Sequence, residues 1–231
     1  MKKKKEPLLF RLTYKTIKLF YPRYKVECLE PLSDDGNIYI SNHAQLHGPL
    51  GNYFYFPKKR YIWVIGQMCN RKEVTPYAME DFWRFKSKYV KWIYYLASTL
   101  ILAPFGSYLF RKAKTIPVYK DGRLRHTLKI SFEKLKDGHN IIIFPESRNP
   151  YNDFINDFQV HFVDLAKQYY KMTGKELLFY PMYTCYELRK IIIGRPIRFN
   201  SNNKIEDERQ RIISYLKESI TELGMSLPRH T

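Results

Sequence analysis

Short runs of β-branched and aromatic residues recur along the chain, each bounded by polar or turn-forming residues and each followed by a stretch of helical periodicity. The runs at 37–41, 60–65, 115–118, 140–144 and 177–183 predict strands. Between and after them, 125–136 predicts a helix closed by Gly138, and 158–173 a helix closed by Gly174. Residues 205–223 predict a C-terminal helix, with Asp207 and Glu208 in its first turn and Gly224 after it. Strands alternating with helices predict an α/β fold, a mostly parallel sheet flanked by helices. With no internal repeat or low-complexity linker, 25–231 is expected to form a single α/β domain behind an N-terminal segment, 1–24.

Two stretches depart from the alternation. Over 7–21, Phe10, Tyr14, Ile17 and Tyr21 recur at helical spacing while Arg11, Lys15 and Lys18 occupy another face, which predicts a basic amphipathic helix. Such a helix either lies in an anionic membrane interface or packs on its own domain. Residues 92–110 form a 19-residue stretch without a charge, preceded by Arg84, Lys86, Lys88 and Lys91 and followed by Arg111, Lys112 and Lys114. That is near spanning length, but Pro104 and Gly106 interrupt its last third. The expectation is a buried core helix, or a hydrophobic hairpin dipping into one leaflet, within a helical, aromatic-rich insertion at about 70–110.

Charge and composition narrow the class of partner. The 231 residues include 40 Lys and Arg against 22 Asp and Glu, a formal charge of +18, and 45% hydrophobic residues exclude a disordered polycation. A basic body with 16% aromatics suits phospholipid headgroups or single-stranded nucleic acid. The basic residues are spread along the whole chain, with no Cys/His finger or RNP-like run, so nucleic acid is not expected. Cys28, Cys69 and Cys185 form no CxxC pair and are odd in number, which argues for a reducing compartment. Lys2 to Lys5 resemble the start of a secretion signal, but Arg11, Lys15 and Lys18 interrupt the apolar stretch that would follow.

The candidate chemistry lies just past two of the strands. The first runs directly into Asn42, His43, Ala44, Gln45, Leu46, His47 and Gly48, and the fourth into Pro145, Glu146, Ser147 and Arg148. Ligands of open α/β sheets bind at the carboxyl ends of strands. If the two strands are near neighbours and parallel, His43, Glu146 and Arg148 gather on one rim, a base beside an anion-binding guanidinium. The alternative is a turn whose charges are simply solvated.

These residues resemble the signatures of the glycerolipid acyltransferases, a family that includes the lysophosphatidic acid acyltransferases. The family's Asn-His-x4-Asp is similar to the run from Asn42 to Gly48, and its IPV-plus-basic signature to Ile116, Pro117, Val118, Tyr119 and Lys120. Its FPEGTR resembles Phe144, Pro145, Glu146, Ser147 and Arg148, and a later VPV-like strand resembles Tyr180, Pro181 and Met182. The four come in the family's order over roughly 37–198. The resemblance implies acyl transfer from an acyl-CoA or acyl-carrier-protein thioester to a lysophospholipid hydroxyl, on the cytoplasmic side of a membrane. Within it, His43 is the general base, Lys120 and Arg148 bind the acceptor phosphate, and Glu146 orients the Arg or a substrate hydroxyl. No cofactor or metal is implied, and a His43–His47 pair cannot by itself close a zinc site.

The chain departs from that pattern twice. The position of the family's orienting Asp is Gly48, and FPEGTR is shortened to FPESR. Removing a comparable carboxylate from a serine-protease triad costs about 10⁴ in turnover. Either another residue compensates, with His47, Glu80 and Asp81 as candidates and Asn42 as an accessory, or the protein keeps the fold and binds lipid without catalysis.

Overall fold

A computed structural model describes residues 7–119 and 121–228. In chain order the elements are α1 (Leu8–Phe20), β1 (Lys25–Cys28), β2 (Ile38–Ser41), α2 (His47–Tyr55), β3 (Arg60–Ile65), α3 (Arg71–Glu80), α4 (Lys91–Ala97), α5 (Ser107–Lys112), β4 (Thr115–Val118), α6 (Leu124–Lys136), β5 (Asn140–Ile143), β6 (Glu146–Pro150), β7 (Asn156–Phe158), α7 (Asp164–Thr173), β8 (Leu178–Cys185), β9 (Lys190–Ile193), β10 (Ile197–Arg198) and α8 (Ile205–Met225). They divide into two compact units, a smaller one of 7–21 and 63–127 and a larger one of 22–62 and 128–228.

The larger unit carries a mostly parallel, mixed sheet in the order β1-β9-β8-β2-β5-β3. β2 pairs in parallel with β5 on one side and β8 on the other, and β5 pairs in parallel with β3. β9 runs antiparallel to β8, and β10 adds an antiparallel pair on β8. A strand covered on both faces is apolar over most of its length, and β2 and β5 are buried at every position, with polar residues only at a strand end. Tyr39 of β2 stacks on Tyr180 of β8 with ring centroids 4.6 Å apart and meets Phe56 edge to face at 4.8 Å. The strand starts are fixed by two buried asparagines. Asn37 donates its N–H to Asn140 Oδ1 and accepts from the Leu178 N–H, while Asn140 donates to the Lys59 carbonyl.

α8 packs along β8, and its Ile212, Leu216 and Ile220 are fully buried or nearly so. The expected helix ends at Gly138 and Gly174 are present, both in the left-handed conformation that glycine adopts without penalty. Gly224 does not end α8 as the sequence suggests. It lies inside the last turn, where a Cβ would come within 2.5 Å of the Phe154 ring, so the absent side chain is needed for packing and the helix runs on to Met225. The predicted helix over 158–173 is a short β7, a 3₁₀ turn at Val160–Val163 and α7.

The smaller unit holds α1, the last residues of β3, α3, β4 and one continuous helix from Lys91 to Lys112 that joins α4, a π-wound stretch Ser98–Gly106 and α5. That stretch is neither the hairpin nor the buried core helix expected. Pro104 and Gly106 are absorbed by the wider π winding without a break, and only 22% of its most apolar window is buried. In α1, Phe10 is buried while Leu8, Leu9, Leu12, Leu19 and Phe20 are exposed. Tyr21 lies past the helix end.

Glu208 anchors the start of α8 from a fully buried position. Its carboxylate accepts from Arg211 Nε and Nη2 at 2.7 Å each, from the Asn200 N–H at 2.9 Å and from Asn203 Nδ2 at 2.7 Å. Burial pushes its pKa up, but these donors outweigh it and hold the carboxyl below its ordinary value. With the folded pKa below the unfolded one, the stabilisation is complete above the ordinary carboxylate range and is lost as pH falls through the folded value. Glu208→Gln is therefore expected to lower the unfolding free energy by about 3 kcal/mol at neutral pH. In urea titrations the gap to the native protein should close on acidification.

Candidate active site

The parallel β2–β5 pair sets Ile40 opposite Ile143, so the residues that follow each strand emerge on the same edge of the sheet. His43 follows β2 by two residues and Glu146 follows β5 by three. The His43 N–H donates to Glu146 Oε2 at 3.1 Å, and the Asn156 N–H donates to Oε1 at 3.3 Å. The carboxylate thus ties the histidine loop to the β6–β7 hairpin through backbone N–H groups. Burial holds the Glu146 carboxyl above its ordinary value, and the two N–H donors offset only part of that rise.

The loop is held from the other side by Asn42. Its buried amide accepts from the Thr184 N–H at 2.7 Å and donates to the Thr184 carbonyl at 3.1 Å, as a strand neighbour would. Fully buried Asn52, in α2, donates to the Gly48 carbonyl at 2.9 Å and to Thr184 Oγ1 at 3.1 Å. Thr184 is the hub of this latch. Sequence reasoning passed over both residues, although a Thr in the apolar run of β8 and an Asn in an aromatic helix turn are the kind of buried polar group that needs partners.

Between Asn42 and the anchored Gly48 carbonyl the backbone is strained. Ala44 and Gln45, neither of them glycine, have φ of 41° and 56°. Left-handed backbone at such residues costs about 1 kcal/mol or more each and persists only where the surroundings impose it. The result presents the His43 ring on the exposed rim, edge to face with Phe144 at 5.5 Å between centroids. The protein around the ring disfavours its charged form and lowers its pKa. The backbone carbonyls of Gln45 and of His43 itself act in the opposite sense, favouring the imidazolium. Among the described residues no carboxylate hydrogen-bonds the ring.

Gly48 explains that absence. A Cβ on it would lie 2.4 Å from the His43 carbonyl oxygen and 2.7 Å from that of Asn42. Its N–H donates to the same His43 carbonyl at 3.2 Å, so the turn closes onto this residue. The site expected for an orienting aspartate has no room for any side chain.

The remaining candidates are placed as follows. His47 opens α2 and shares no helix face with His43, which sits in the preceding loop; its ring stacks on Tyr186 with centroids 3.7 Å apart. Arg148 is exposed in β6. Glu80 ends α3 and Asp81 follows it, both in the smaller unit, with Asp81 accepting from the Tyr77 hydroxyl at 2.7 Å. Lys120 lies outside the described residues. Its neighbours are tied down, Asp121 by a bidentate Arg123 whose guanidinium stacks 3.7 Å from the Tyr119 ring centroid. No group of three or more His, Cys, Asp or Glu is placed to hold a metal ion among the described residues. No protein-family model matches the sequence, and no curated protein matches it.

Asn42→Ala leaves the Thr184 N–H and carbonyl buried and unpaired, and is expected to cost about 2 kcal/mol in urea unfolding. Gly48→Ala and Gly48→Asp should both destabilise by about 2 kcal/mol or more through the backbone clash. A Gly48→Asp protein as stable as the native one would show that the loop opens readily.

Proposed function

We propose that the protein is an acyltransferase of the lysophosphatidic acid type, working at a membrane surface. One observation carries the reading: His43 and Glu146 leave adjacent parallel strands on one edge of the sheet and are joined by the His43 N–H. In the proposed reaction the acceptor hydroxyl gives its proton to the His43 imidazole as its oxygen attacks the thioester carbonyl. Collapse of the tetrahedral intermediate breaks the C–S bond, and the departing sulfur takes the proton back from the imidazolium. Arg148 and Lys120 are the proposed partners of the acceptor phosphate. Donor and acceptor are both anionic, which the charge of +18 favours. The lowered His43 pKa keeps the ring neutral, and so able to accept a proton, at neutral pH.

Gly48 supports a second reading, in which the protein binds anionic lipid in the same fold without turning it over. The Gln45 carbonyl is a weaker orienting group than a carboxylate, because it lacks the charge that stabilises an imidazolium. The N-terminal helix belongs to either reading. Its exposed Leu8, Leu12, Leu19 and Phe20, with Arg11, Lys15 and Lys18, suit an anionic interface on the cytoplasmic side.

Acyl-CoA or acyl-carrier-protein thioester and lysophosphatidate, supplied to the protein in vesicles, are expected to give turnover that His43→Ala reduces by about 10² to 10⁴. Because the neutral ring is the active form, the rate should fall with acidification through an apparent pKa below the ordinary imidazole value of about 6.5. Saturable lysophosphatidate binding with no turnover above the His43→Ala level, across several acceptors, would establish the second reading instead.

A further inference from the structure

The continuous helix Lys91–Lys112 has two unlike sides. On one side Ala103 packs with Met68 and Val74, and Leu102, Phe110 and Tyr77 close around them. Polar groups on this side are also matched: Trp83 Nε1 donates to the buried Ser98 Oγ at 3.0 Å, and Thr99 meets Thr75 at 3.3 Å. The opposite side is apolar and open, with Trp92 62%, Leu96 45%, Leu100 70%, Ile101 67% and Phe105 42% exposed. The segment leading into the helix continues this surface with Phe85 and Tyr89, exposed by 92% and 77%.

The rim of this surface carries one sign of charge. From Phe82 to Tyr119 there is no Asp or Glu, while Arg84, Lys86, Lys88, Lys91, Arg111 and Lys112 flank the apolar helix. Three of these cations lie over aromatic rings: Arg84 on Phe85 at 5.6 Å, Lys86 on Tyr94 at 5.6 Å and Lys88 on Tyr89 at 5.4 Å. Basic and aromatic residues in alternation around an apolar face match the headgroup boundary of an anionic bilayer. A second copy docking through the same face would set these cations against their own counterparts.

Geometry decides how the helix meets lipid. α3 packs along the Ser98–Gly106 stretch, the middle of the helix, and carries Arg71, Lys72, Glu73 and Glu80. A helix crossing the bilayer would draw these charges into the hydrocarbon beside it. A helix lying flat leaves them on the aqueous side, and buries only the open face.

We propose that Lys91–Lys112 is an in-plane anchor, its Trp92–Leu96–Leu100–Ile101–Phe105 face embedded in one leaflet of an anionic membrane and its α3 face kept above it. This deepens the membrane-surface part of the reading above and is independent of the acyl-transfer chemistry. The test is flotation of the full chain with phosphatidylcholine vesicles containing phosphatidylglycerol, combined with quenching by lipids brominated at different acyl depths. Leu100→Glu with Ile101→Glu is expected to weaken flotation at least about tenfold, with circular dichroism unchanged, while His43→Ala floats as the native protein does. Trp92, read against a Trp92→Phe background, and Ile101→Trp in that background should be quenched best by the same shallow bromines. Unchanged flotation of the double variant overturns the proposal. So does an Ile101→Trp quenched best by bromines at the bilayer centre, which marks a spanning helix, or a double variant that loses self-association but not flotation, which marks a second copy as the occupant.

Discussion

The parallel pairing of β2 with β5 on one side and β8 on the other is the constraint on which the larger unit depends. A strand hydrogen-bonded along both edges and covered on both faces has no freedom of register, because a shift by one residue would break two ladders and turn a buried side chain onto the wrong face. Ile38, Tyr39 and Ile40 are fully buried, and Asn37 and Asn140 fix where the ladders begin. The ends of the strands are therefore fixed as well, and with them the starting points of the two loops that carry His43 and Glu146. The placement of both residues is set by where the sheet stops.

From those starting points the loop after β2 is held at both ends and strained in the middle. Asn42 borrows hydrogen bonds from β8 and Glu146 accepts the N–H of His43 at the start of the loop, Asn52 holds the Gly48 carbonyl at its end, and Ala44 and Gln45 take up the left-handed turn between them. Much of the polar material near His43 therefore serves position. Glu146, which has the residue type of a catalytic group, holds backbone on both of its oxygens.

The α/β class, five strands and the helices at 125–136 and 205–223 were legible because their periodicities are strong, with Gly138 closing the first helix and acidic residues opening the second. The strands that escaped notice, β1, β6, β7, β9 and β10, are short or at the margins of their sheets, where neighbours rather than local pattern decide the conformation. That His43 and Glu146 share one edge was legible from the strand ends, since a parallel sheet aligns its loops. Thr184 and Asn52 were not, because their role arises from residues more than 130 positions apart meeting in the fold. The apolar stretch at 92–110 was visible, but not its continuity, since the π winding that accommodates Pro104 and Gly106 leaves no local mark in the residue pattern.

Gly48 carries a consequence for any change of the protein over time. Its α-carbon is boxed in by the carbonyls of the two residues that define the site, so a side chain at this position demands that the whole Asn42–Gly48 turn be rebuilt first. The latch through Thr184 and Asn52 and the left-handed pair at 44 and 45 form a loop adapted to that glycine. A single substitution there meets backbone on two sides, so a carboxylate requires the turn to move with it. The loop is thus locked to glycine at this position: the side chain it lacks is excluded by backbone, and backbone yields only when the whole turn moves.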